Sequence, residues 1–66
     1  MDFWSNVSAV IASLGGSRSG GINWTWAYFP EQEAAEAFDW WCGKMGLETR
    51  GVYPPHWDEN WGVRYR

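Results

Sequence analysis

The fold turns on Ile22-Asn23-Trp24-Thr25-Trp26-Ala27-Tyr28-Phe29 and on the run that follows it, Pro30-Glu31-Gln32-Glu33-Ala34-Ala35-Glu36-Ala37-Phe38-Asp39-Trp40-Trp41-Cys42-Gly43-Lys44-Met45. The first eight residues alternate strictly, with Ile22, Trp24, Trp26 and Tyr28 on one side and Asn23, Thr25, Ala27 and Phe29 on the other, the period of a strand. At Pro30 the period lengthens. Proline suits the first position of a helix, and Glu31 and Glu33 lie where the positive end of the helix dipole favours acids. A helix over 30–45 puts Ala34, Ala35, Phe38, Trp41, Cys42 and Met45 on one face, with Gly46 as its stop and Leu47 closing the end hydrophobically.

Outward toward the N-terminus, Phe3, Val7, Val10, Ile11 and Leu14 recur at intervals of three, four and seven, which reads as a helix over 2–14 ended by Gly15-Gly16. Its β-branched valines and isoleucine leave a strand as the alternative. Residues 17–21 read as a flexible connection. Outward toward the C-terminus, 47–53 reads as a second strand weakened by Gly51, and 61–65 as a third whose Trp61, Val63 and Tyr65 share a face. Between them Pro54-Pro55-His56-Trp57-Asp58-Glu59-Asn60 is a loop, because two prolines cannot donate to a strand ladder.

The expected fold is therefore α+β: an N-terminal helix followed by a β-α-β-β unit. A right-handed crossover makes the first two strands parallel with a gap between them, and the third fills that gap antiparallel to both. The result is a three-stranded mixed sheet of order 2-3-1 packed on helix 30–45. In element order this resembles half of a ferredoxin-like fold. The N-terminal helix is expected to cover the other sheet face or to pack beside helix 30–45. If it does neither, the first strand leaves an open edge through which a homodimer could form.

Length and composition narrow the function. Sixty-six residues make a single domain, 1–66, with no room for a cofactor fold plus a substrate fold. Seven Trp, three Tyr and three Phe supply the core of a chain that buries only about 60% of its unfolded surface. No run reaches the 18 apolar residues of a membrane span and no signal peptide is evident, so a cytoplasmic protein with no membrane contact is expected. Cys42 is the sole cysteine and falls on the inner face of helix 30–45, where a thiol acts as a small hydrophobe. His56 is the sole histidine; beside Asp58 and Glu59 it offers at most a general base with a carboxylate orienter, and a solvated loop histidine is the simpler reading. Zinc demands more His or Cys than the chain has. The glycines around Arg18 precede a strand rather than a helix, the reverse of a phosphate cradle. No enzyme activity, no metal and no cofactor are expected.

What remains is surface. Eight acids against five bases give a net charge of −3, and Glu31, Glu33, Glu36 and Asp39 fall together without a base among them. Such a balance argues against gripping phosphate backbones directly. The simplest role of Trp24, Trp26 and Trp61 is packing against Phe38, Trp41 and Met45. The alternative is a platform that stacks single-stranded bases, for which Arg50, Arg64 and Arg66 are the available cations, expected on the opposite sheet face. Trp40 points away from Phe38 and Trp41, between Glu33 and Glu36 on one turn and Lys44 on the next. It is either exposed, as a binding anchor among acids, or covered by the N-terminal helix or a second copy. Trp57 beside Asp58 and Glu59 repeats that combination.

In size, acidity and absence of enzyme motifs the chain resembles the small inhibitors encoded by phages and mobile elements, including anti-CRISPR proteins that act as DNA mimics. The resemblance implies an inhibitor that occupies the nucleic-acid groove of a basic host effector protein. Glu31, Glu33, Glu36, Asp39, Asp58 and Glu59 would stand in for phosphates, with Trp40 and Trp57 as anchors. A nucleic-acid-binding module built on the sheet tryptophans and the C-terminal arginines, and a structural homodimer, are the alternatives.

Overall fold

The structure is a computed structural model and describes residues 2–55 and 59–66. Helix α1 spans Phe3–Ser13. Its start is fixed by Asp2, whose Oδ1 accepts a hydrogen bond from the Ser5 backbone N–H at 2.7 Å, a cap worth about 1 kcal/mol. Its end is a Schellman turn: the Gly15 N–H donates to the Ala12 carbonyl and the Gly16 N–H to the Ile11 carbonyl, with Gly15 at φ 76°. Helix α2, Gln32–Lys44, ends the same way, with Gly46 at φ 81° and the Leu47 N–H donating to the Cys42 carbonyl. The expected stop is thus in place, but Pro30 and Glu31 precede the helix, Glu31 being the cap residue without a side-chain capping bond.

Among the described residues there are four strands, not three: β1 Ser17–Ser19, β2 Thr25–Phe29, β3 Thr49–Tyr53 and β4 Trp61–Tyr65. Their order is β1-β2-β4-β3. The three expected strands keep their 2-3-1 succession as β3-β4-β2, and the supposed flexible connection adds β1 on the outer side of β2. Every neighbouring pair is antiparallel, with β4 against both β2 and β3 as expected and those two parallel to each other across it, so the pairing is antiparallel throughout rather than mixed. The linker becomes a strand because Gly16 brings the chain against Phe29 and Tyr28; a Cβ there would lie 2.5 Å from the Phe29 ring and 2.7 Å from the Tyr28 carbonyl oxygen. The edge of the first expected strand is therefore occupied by the chain itself.

The core is one cluster made by both helices on one side of the sheet: Val7 and Ile11 from α1, Ala35, Phe38 and Cys42 from α2, Ala27 and Phe29 from β2, Val63 and Tyr65 from β4. Phe38 is its hub, with ring centroids 5.4 Å from those of Phe29 and Tyr65 and 6.1 Å from that of Trp41. Burying an aromatic of this size removes roughly 150–250 Å² from water. Met45, expected inside, is exposed, and Ile22, expected at the start of a strand, precedes it and is fully exposed.

The main correction concerns which side of β2 faces inward. Ala27 and Phe29 are buried; Trp24, Trp26 and Tyr28 are not. Register enforces this, since Ala27 lies opposite Val63 and Phe29 opposite Trp61, whereas Trp26 lies opposite Arg64 and Tyr28 opposite Gly62. Side chains of directly opposed residues project to the same face. Trp26 and Tyr28 of β2 therefore share the second face of the sheet with Arg64, and no described element covers that face.

Candidate functional site

Each element contributes to the second face for a local reason. β2 places Trp26 and Tyr28 two residues apart, their rings nearly parallel at 8° with centroids 5.9 Å apart. β4 opposes them with Gly62, whose missing side chain leaves room: a Cβ there would lie 3.2 Å from the Trp26 ring and 3.7 Å from that of Tyr28. β3 brings Tyr53 opposite Gly62, with its ring 5.4 Å from that of Trp26. Between Thr49 and Val52 the register shifts, and Gly51 adopts φ 84°. Reading Gly51 as a weakness of the strand is thus corrected. It is a bulge, which returns Val52 to the core side opposite Val63 while Arg50 reaches the open face.

Arginines complete the surface, and here too the expected placement is overturned. Arg50, Arg64 and Arg66 lie on the same face as the tryptophans, not the opposite one. All three guanidinium groups gather around the Trp24 ring, at 5.4, 5.2 and 4.1 Å from its centroid. Arg64 also lies 5.9 Å from Trp26 and 5.5 Å from Tyr53, and its Nε is buried without a hydrogen-bond partner among the described residues. Among the described residues one acid pairs with these cations, and with two of the three. The ladder continues past β4 because Glu48 and Arg66 exchange both backbone hydrogen bonds, at 2.9 and 3.0 Å. Glu48 thereby reaches Arg66 at 3.1 Å and Arg50 at 3.3 Å. Both pairs are half-exposed, where an ion pair is worth about 0–1 kcal/mol. The face stays cationic.

Such a surface suits an anion with flat rings. Guanidinium groups bind phosphate through paired hydrogen bonds, and aromatic rings stack on bases. A net charge of −3 conceals it because Glu33, Glu36 and Asp39 are carried by α2, on the other side of the sheet.

The acidic residues expected to contact a partner are divided by the structure. Glu31, Glu33 and Glu36 are exposed, and Trp40 is 65% exposed, with the Lys44 Nζ 5.3 Å from its ring centroid. Helix α1 does not cover it. Asp39 does not belong to that surface: it is half-buried, and its Oδ1 is buried without a hydrogen-bond partner among the described residues. Glu59 is exposed at φ 63°. His56, Trp57 and Asp58 lie outside the described residues, so the loop reading rests on sequence. Cys42 is fully buried; burial, reinforced by the charge of nearby Asp39, pushes its thiol up to about 12. Among the described residues no three His, Cys, Asp or Glu side chains gather as metal ligands would, and no helix is long and apolar enough to cross a membrane.

Compared with known proteins, the chain matches no family model, no curated protein and no solved structure.

Proposed function

We propose that this is a non-enzymatic binding protein whose open sheet face takes single-stranded nucleic acid. The observation that carries the reading is the gathering of three guanidinium groups around Trp24, continuous with Trp26, Tyr28 and Tyr53. Phosphates would meet Arg50, Arg64 and Arg66, and bases would stack on the aromatic rings. The charge argument against direct phosphate contact loses its force once the acids of α2 and the three arginines occupy different sides of the sheet. Fluorescence anisotropy with a labelled oligonucleotide tests it. Three phosphate contacts give a slope of log affinity against log salt of about −2. Arg64→Glu with Arg66→Glu should abolish binding, and quenching of Trp24 and Trp26 emission should accompany it in the parent chain. Binding indifferent to both salt and the double substitution would overturn the reading.

A second reading is favoured by the exposure of Trp40 beside Glu33 and Glu36. It is the anti-CRISPR-like inhibitor, in which the acidic helix enters the nucleic-acid groove of a basic host protein. Trp40→Ala would then cost on the order of 2 kcal/mol in affinity and, as an exposed residue, under about 0.5 kcal/mol in stability. Titration calorimetry against the captured partner, with thermal melts of both chains, separates the two quantities. A large drop in melting temperature with affinity unchanged would remove Trp40 as an anchor.

A further inference from the structure

We infer that the open sheet face of one copy is a docking surface for helix α2 of a second copy, so that head-to-tail self-association masks the face that takes nucleic acid. The masking rests on the nucleic-acid reading above; the docking does not.

Two unpartnered surfaces on opposite sides of the molecule carry the inference. One is the sheet face, with Arg50, Arg64 and Arg66 around Trp24. A sheet with helices on one side and aromatics on the other offers an apolar layer that a further helix would bury. The other is the outer stripe of α2, where Glu33, Glu36, Ala37, Trp40 and Lys44 are all exposed at helical spacing. From Glu33 to Lys44 that stripe runs about 16 Å at 1.5 Å per residue. Four strands at about 4.8 Å spacing make the sheet about 14 Å wide, so the lengths agree.

The charges agree as well. Glu33 and Glu36 meet arginines in excess over Glu48, their single ion-pair partner among the described residues, while Lys44 lies at the far end of the stripe, away from that cluster. Trp40, at the centre, now has only the Lys44 ammonium 5.3 Å from its ring centroid among the cation contacts of the described residues; an arginine guanidinium stacks on indole better than an ammonium does. Because the two surfaces lie on opposite sides, no copy satisfies its own. The contact is heterologous, and copies add in a row rather than closing as a two-fold pair. Its size places it among weak interfaces, so it depends on concentration and on salt.

Sedimentation from about 10 µM to about 1 mM at low salt tests this, with circular dichroism to show that each variant is folded. The wild-type weight-average mass should rise at least about twofold across that range and fall back with added salt. Glu33→Arg with Glu36→Arg, and separately Arg50→Glu with Arg66→Glu, all at exposed positions, should each stay monomeric. Mixed in equal amounts, the two variants should associate again, because the intact sheet face of one takes the intact helix of the other, and the reversed helix and reversed sheet face are once more opposite in charge. A wild type that is monomeric throughout, a self-association unchanged by the helix reversal, or a mixture that does not associate would overturn the docking. Oligonucleotide binding by the helix-reversed variant is read in parallel. If it fails while the wild type still associates, the nucleic-acid reading falls with the masking, and the docking stands.

Discussion

At the residue scale, Phe38, Cys42 and Tyr65 show how identity and burial decide a side chain's chemistry. Cys42 sits one helical turn from Asp39 in the core, and burial together with that charge holds its thiol neutral up to about 12, against an ordinary value of 9.0. Tyr65 is raised above 10.0 by burial, which outweighs the opposing charge and hydrogen bond of Arg18. Both groups prefer to stay protonated when folded. Above pH 9 the unfolded thiol therefore gives up its proton while the folded one keeps it, so the unfolded state holds fewer protons and stability falls as pH rises. Urea denaturation at pH 8, 10 and 11 should show that loss, and Cys42→Ala, though less stable at pH 8, should show a smaller one. Equal slopes in the two chains would contradict the account. A buried, inert Cys42 was legible in the sequence from its place on the inner face of a helix. Asp39 was not, because it belongs to the same acidic run as the exposed Glu31, Glu33 and Glu36 and only the helix rotation separates it from them.

At the scale of elements, α2 and the order of three strands were legible because their signals are local: the switch of period at Pro30, the Gly46-Leu47 stop, and alternation in 61–65. The inward side of β2 was not. Both of its sides are apolar, and the bulkier one reads as the core if bulk alone is weighed. The available signal lay on β4, where Gly62 and Arg64 alternate with Trp61, Val63 and Tyr65. A sheet side that carries arginine and glycine is the open one, and the strand beside it must turn its large rings over the glycine. β1 gave no pattern, since three small or polar exposed residues become a strand only through pairing with β2. The role of Gly62 is testable. Gly62→Val forces a branched side chain against the Trp26 ring, costing about 1–3 kcal/mol of stability as overpacking does. Displacing Trp26 should also cut oligonucleotide affinity by about tenfold, the effect of losing one stacked base. Denaturation and anisotropy on the same preparation measure both, and unchanged affinity would mean that Trp26 is not part of the platform.

At the scale of the whole molecule, the decisive property is the separation of charge rather than its sum. A surface of 4412 Å² is close to the roughly 4,300 Å² expected of a folded monomer of 7.6 kDa, so the chain holds a compact shape as a single copy while offering two unlike sides. Composition gave the net charge of −3 and could not show that β4 and α2 carry opposite signs to opposite sides of the sheet. The molecule measures 18 Å along its shortest axis. That exceeds the screening length of about 8 Å at 0.15 M salt and falls well within the 30 Å or so at 0.01 M. Reversing Glu33 and Glu36 to Lys should therefore leave oligonucleotide affinity within about twofold at 0.15 M, where the helix is electrically remote from the sheet face, and raise it severalfold at 0.01 M, where the whole field is felt. The measurement belongs well below the concentration at which copies associate, so that release of a masked face does not add to the effect. A strong rise at 0.15 M would show that the acids of α2 act on the bound strand at close range, which the placement of α2 across the sheet from Arg50, Arg64 and Arg66 forbids.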